Sequence, residues 1–205
     1  MILQSIDWAQ VGTAVLGIVS TLAGPLAAVY GIYTSSKAFS EWQRRQLATL
    51  RMERAEKILI AAYEAELAFE RIRYPLVPAA ETQRIRRESS EDETGSKWLS
   101  SVYIARITEE KTQHQALISL IPSAKAYFRK ELEINIRDLA SKFHYLYTIS
   151  EELSYYDQPS DRHRDILKEM KTKTAENSSN FDVSVSELIS KIEVYCNPAL
   201  KLSEF

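Results

Sequence analysis

The sequence is short of almost everything that marks an enzyme with a recognisable motif. It has five glycines in 205 residues, and four of them (Gly12, Gly17, Gly24, Gly31) fall in the first 31. No glycine lies between Gly31 and Gly95, so no glycine-rich phosphate-binding loop can be built there. One cysteine, Cys196, excludes an internal disulfide and fits a reducing compartment. The three histidines, His114, His144 and His163, are scattered. Glu110 and His114 are one helical turn apart and could share a metal, but the doubled Glu-x-x-His set of bundle di-metal sites is missing. No metal, cofactor or catalytic residue is therefore expected. A formal net charge of −2 gives no field for nucleic acid, and no nucleic-acid partner is expected. The group Tyr145, Tyr147, Tyr155 and Tyr156 reads as bundle packing or amphipathic surface, since no basic field accompanies it.

Charge is also absent from one long run. Residues 11–33, VGTAVLGIVSTLAGPLAAVYGIY, contain 23 positions without Asp, Glu, Lys or Arg. A helix rising 1.5 Å per residue needs ~20 apolar residues to cross a bilayer. Trp8 on one side and Tyr30, Tyr33 and Trp42 on the other sit at interfacial positions. A cleaved signal peptide needs a basic start, which MILQSIDWAQ lacks, and a core of only ~7–15 residues. A buried core helix is the other alternative, and such helices seldom run this long uncharged. The sequence thus predicts one transmembrane helix over 11–33 after a short extracytoplasmic stretch, 1–10.

The flanks predict its direction. The N-terminal side has no Lys or Arg, whereas Lys37, Arg44, Arg45, Arg51 and Arg54 follow the run. Positive flanks stay inside, which places the large C-terminal part in the cytoplasm. The same five residues can meet anionic headgroups, although their ordinary role is as topology determinants.

Along the run, Thr13, Gly17, Ser20, Gly24, Ala27, Gly31, Thr34 and Ala38 step by four and three, and all are small. Small stripes let transmembrane helices approach closely, and a 3.5-residue repeat implies a left-handed crossing. The expected association face is Thr13, Gly17, Ser20, Gly24, Ala27 and Gly31. Pro25 removes a backbone donor, with Thr21 placed to serve the freed carbonyl.

The remainder reads as all-α, with few breakers and long Leu/Ala/Glu/Lys/Arg stretches. A juxtamembrane helix is predicted over 34–73, either continuous with the span or broken near Ser35–Ser36. Its inward face is Leu47, Leu50, Ala55, Ile58, Leu59, Ala62, Ala65, Phe69 and Ile72, and Tyr74-Pro75 ends it. Residues 74–97 read as an exposed charged loop with room for a short helix at Ala79–Glu88. Over 98–205 the pattern predicts a helical bundle. Its parts are a helix from Trp98 to Ile121 broken by Pro122, with Trp98, Val102, Ala105, Ile107, His114, Ile118 and Ile121 inward, an amphipathic run through Phe128, Leu132, Ile136, Leu139, Phe143, Leu146 and Leu153 with Ile149 filling the gap, a polar helix after Pro159, and a last helix. The last helix opens on a Ser184-x-x-Glu187 capping box, buries Val185, Leu188, Ile192 and Tyr195 or Cys196, and stops at Asn197-Pro198.

A resemblance joins these readings. Arg44-Arg45, Ala55-Glu56-Lys57-Ile58-Leu59, Tyr63-Glu64-Ala65 and Arg71-x-Arg73-x-Pro75, within 42–75, resemble the cytoplasmic start of uncharacterised bacterial single-pass inner-membrane proteins with a helical cytoplasmic domain. The C-terminal stretch 192–200 is similar to their last helix. The resemblance implies topology and a bacterial inner-membrane location, and it carries no activity.

Three functions compete at this level. The first is a non-catalytic, membrane-anchored helical scaffold that self-associates through the small stripe and displays its bundle to a cytoplasmic protein. The second is a small pore-forming effector with Thr13, Ser20 and Thr34 facing a lumen, against which stands the lack of intramembrane charge. The third is an enzyme with a site hidden in the bundle.

Overall fold

The computed structural model describes the backbone of residues 8–88, 95–155, 161–170 and 180–201, with side chains from Tyr30 onward except Glu88. Among the described residues there are seven helices and no strand: α1 (Trp8–Ile72), α2 (Ala79–Glu88), α3 (Ser96–Glu109), α4 (Lys111–Tyr127), α5 (Lys130–Leu153), α6 (Asp161–Met170) and α7 (Asn180–Lys201). The chain divides into two compact units, Met1–Ala48 and Thr49–Phe205.

The first unit is helical from Trp8, without a break at Ser35–Ser36. Ser36 and Ser40 turn their hydroxyls back onto the carbonyls of Tyr33 (2.9 Å) and Lys37 (2.8 Å), so these polar residues sit in the helix without competing for its ladder. Every described side chain from Tyr30 to Leu47 is exposed, including Leu47, which the apolar periodicity had placed inward.

In the second unit α5 is the central helix, with α3, α4, α6 and α7 packed on it. From Leu132 the 3-4 spacing of its apolar residues works as expected, with Leu132, Ile136, Leu139, Phe143, Leu146, Ile149 and Leu153 all buried, whereas Phe128, expected to open the same run, caps α4 instead and is half-buried. From α1, Ala55, Ile58, Ala62, Ala65, Ala68, Phe69 and Ile72 enter the same core. Four small residues among these seven let the α1 backbone lie close to its neighbours. Phe69 joins two rings, with centroids 4.5 Å from Phe143 and 5.4 Å from Phe181.

Several boundaries differ from the sequence expectation. The helix predicted over Trp98–Ile121 breaks at Glu110, where the backbone takes φ −85° and ψ 12°. Both carboxylate oxygens of Glu110 are held there by Arg71, at 2.6 and 2.8 Å. The break resets the helical phase, so Leu117 and Ala124 turn inward while Ile118 is exposed. Pro122, expected to end the helix, lies inside α4, and Pro198 lies inside α7. α7 begins at Asn180, so Ser184 and Glu187 occupy its interior and form no capping box. Within 74–97 the short helix for which the sequence left room at Ala79–Glu88 forms as α2, and it buries Ile85, which an exposed loop would not. The loop expected at 176–180 lies, except for Asn180, outside the described residues.

Candidate functional site

Four arginine–carboxylate pairs of the second unit line one cleft at the C-terminal end of α1. Pro75 follows Tyr74 and has no N–H to continue the helix, so the last carbonyls of α1 need other donors. Arg106 of α3, only 7% exposed, supplies them. Its Nη1 donates to the carbonyls of Ile72 (3.3 Å) and Tyr74, and its Nη2 donates to that of Leu76 (2.8 Å). The same guanidinium grips Glu81 of α2 in a bidentate pair, Nε to Oε1 at 2.7 Å and Nη2 to Oε2 at 3.0 Å. One side chain thus caps α1, holds the following segment by the carbonyls of Tyr74 and Leu76, and ties α2 to α3. A planar guanidinium with five donors can do this, and a lysine cannot.

Arg73 performs the complementary task on the other side. It is 1% exposed. Its Nε donates to the carbonyl of Glu169 at the end of α6 (3.0 Å), and its Nη1 and Nη2 donate to the carboxylate of Asp182 in the first turn of α7. Its Cζ also lies 4.7 Å from the ring centroid of Phe181, within cation–π range. A buried charge is tolerated only with such full pairing.

Two further pairs, Arg71–Glu110 and Arg84–Glu109, complete a set of four around one cleft of about 970 Å³. Glu110 holds the Arg71 guanidinium above its ordinary pKa by accepting its hydrogen bonds. Leu67 and Tyr74 contribute exposed apolar surface to the walls. Chemically, the arrangement is a mixed-charge clasp whose arginines are already engaged by carboxylates.

The metal candidate does not assemble. Glu110 serves Arg71, while His114 lies 5.1 Å from the Phe143 ring, its pKa lowered by burial and by the charge of His144. Among the described residues no group of three His, Cys, Asp or Glu could hold a metal ion. Cys196 is buried, which pushes its thiol up to about 12.

Of the predicted association face, Thr13, Gly17, Ser20, Gly24 and Ala27 lie on α1, but their side chains are outside the described residues. Gly31 is described, and a Cβ built on it would meet nothing within 4 Å. Thr34 turns its hydroxyl to the carbonyls of Tyr30 (3.0 Å) and Gly31 (3.1 Å). Lys37, Arg44, Arg45 and Arg51 are exposed and Arg54 is half-buried. Among the described residues no helix is long and apolar enough to cross a membrane; positions 11–29 of the predicted span have no described side chains.

The Arg106–Glu81 clasp was missed at the level of sequence. Its one signal was an arginine in the inward register of α3, beside Val102, Tyr103 and Ile107. No protein-family model, curated protein or solved structure matches the chain.

Proposed function

We propose that this chain is a non-catalytic helical interaction module anchored in the bacterial inner membrane by residues 11–33. In this reading the N-terminus is outside, the helical domain is cytoplasmic, and the anchors associate through Thr13, Gly17, Ser20, Gly24, Ala27 and Gly31. The partners are the lipid bilayer, further copies of the chain and a cytoplasmic protein.

The observation that carries the proposal is the exposure of large side chains at the end of the uncharged run. Tyr30, Ile32, Tyr33, Phe39 and Trp42 are 57–71% exposed on a single helix. Phe39 and Trp42 stack on each other with centroids 5.7 Å apart. Large exposed apolar and aromatic side chains on one helix, beside Lys and Arg, are the usual composition of a bilayer interface. The adjoining Lys37, Arg44 and Arg45 supply that positive flank. The mechanism is positional: confining the module to a membrane and pairing its anchors raises the effective concentration of the displayed domain.

The test is alkaline carbonate extraction of membranes from expressing cells, with protease added to inside-out vesicles. The proposal expects the chain to stay in the pellet and its C-terminal domain to be digested. Release into the supernatant would refute the anchor.

A further inference from the structure

The helix α2 stands apart from the core of the second unit. It packs on α3, and among its described residues Ile85 is the one buried apolar side chain. The main core runs through α1, α3, α4, α5, α6 and α7 without it. Among the described residues, Ile85 of α2 and Val102 of α3 are the two buried apolar side chains that do not belong to that core. Docking α2 therefore adds a satellite cluster beside the core and does not extend it.

Polar ties complete the docking. Glu81 meets Arg106 bidentately inside the cleft, where their side chains are 15 and 8% exposed. Arg84 pairs with Glu109 at the rim, where the two side chains are 46 and 50% exposed. An ion pair that open to water is weak and is screened by salt. With ten residues α2 is also too short to hold itself. Isolated helices under ~12–15 residues are marginal in water, so leaving α3 and unwinding are one event. The core side need not change when that happens. Arg106 keeps its bond to the Ile72 carbonyl of α1, and Phe69 and Ile72 keep their core contacts. Elements docked outside the main core are the ones that open ahead of global unfolding. The position of α2 gives its opening a consequence, because Pro78, Ala80, Glu81 and Arg84 form one wall of the cleft.

We infer that α2 is a releasable strap: it undocks from α3 and unwinds as one unit while the rest of the bundle stays folded, and its release opens the cleft on that side. All of these groups lie in the second unit, so the strap is independent of the anchor reading.

The test is native-state hydrogen exchange of the full chain in detergent micelles, resolved to single amides by mass spectrometry and corrected for intrinsic rates. The amides of 83–87 are bonded within α2, and those of 102–107 in α3 and 136–149 in α5 serve as references. The expected result is protection at 83–87 that is measurable, uniform across the five amides, and at least about tenfold below that of both references. Ile85→Ala should lower it at least about tenfold further by removing the buried side chain. Arg84→Gln should lower it about twofold, an effect that disappears in high salt. Neither variant should change the references. Protection at 83–87 equal to that of α3 and α5 would overturn the strap, and so would Ile85→Ala loosening all three helices together. Unprotected amides at 83–87 in wild type would show that α2 is not docked, and a gradient along them would show fraying in place of release as a unit; either result overturns the inference.

Discussion

Arg106 and Glu81 meet in a bidentate pair while the same guanidinium holds the carbonyls of Ile72, Tyr74 and Leu76. The two functions separate by mutation. Arg106→Met leaves Glu81 without its partner and three carbonyls without their donor, and should cost about 3–5 kcal/mol, the range for breaking a buried pair. Arg106→Met/Glu81→Leu removes the orphaned carboxylate as well. It should recover part of the loss and remain about 1–3 kcal/mol below wild type, because the carbonyls stay unserved. Urea unfolding followed by circular dichroism gives both numbers. A double variant as stable as wild type would show that the capping bonds contribute nothing.

Arg73→Lys tests the second clasp. Lysine keeps the charge but cannot reach Asp182 bidentately, the Glu169 carbonyl and the Phe181 face together. A loss of about 2–3 kcal/mol is expected from hydrogen bonds to a charged group. A double-mutant cycle with Asp182→Asn should show coupling between the two positions. Independent, additive effects would contradict the contact.

These two arginines also mark the limit of what the sequence discloses. The all-α class, the α5 face from Leu132 and the α7 residues Val185, Leu188 and Ile192 follow from hydrophobic period, and these residues are buried; of the two alternatives at the end of α7 the structure buries Cys196 and leaves Tyr195 half-buried. Period reports burial of apolar groups and is silent on ion pairs. Arg106 and Glu81 are 25 residues apart, and neither spacing nor composition ties them. The same gap explains the misplaced helix break. Pro122 is the stronger local signal, but one missing N–H is absorbed within α4, while the Arg71–Glu110 bond acts from 39 residues away. Ile118, inward by the periodicity of an unbroken helix, is exposed because the break at Glu110 shifts the phase before it. The capping box failed for a related reason, since Ser184 already stands inside α7.

Cys196 should be chemically silent in the folded chain. Burial removes access and pushes the thiol up to about 12, so almost no thiolate is present at pH 8. Maleimide at pH 8 is expected to leave native protein unlabelled and to label it fully in denaturant. Rapid labelling without denaturant would contradict the packing of α7 on α5.

His114 should make stability depend on pH in a defined direction. Burial against Phe143 and the charge of His144 lower its pKa in the folded state. The unfolded chain, with the histidine near 6.5, therefore binds the proton first. Stability from this group is present above about 6.5 and is lost as pH falls from there through the lower folded value. His114→Gln should flatten that part of the stability–pH curve. An unchanged slope would place the effect on another group.

The most direct test of the account is chemical cross-linking of the full chain in native membranes, comparing wild type with Gly17→Leu/Gly24→Leu at equal expression and insertion. Bulky side chains at those two positions hold the anchors apart if the small-residue face is the contact. The account predicts a discrete oligomer in wild type that disappears in the double variant. A monomeric wild type, or an oligomer that survives both leucines unchanged, would contradict it.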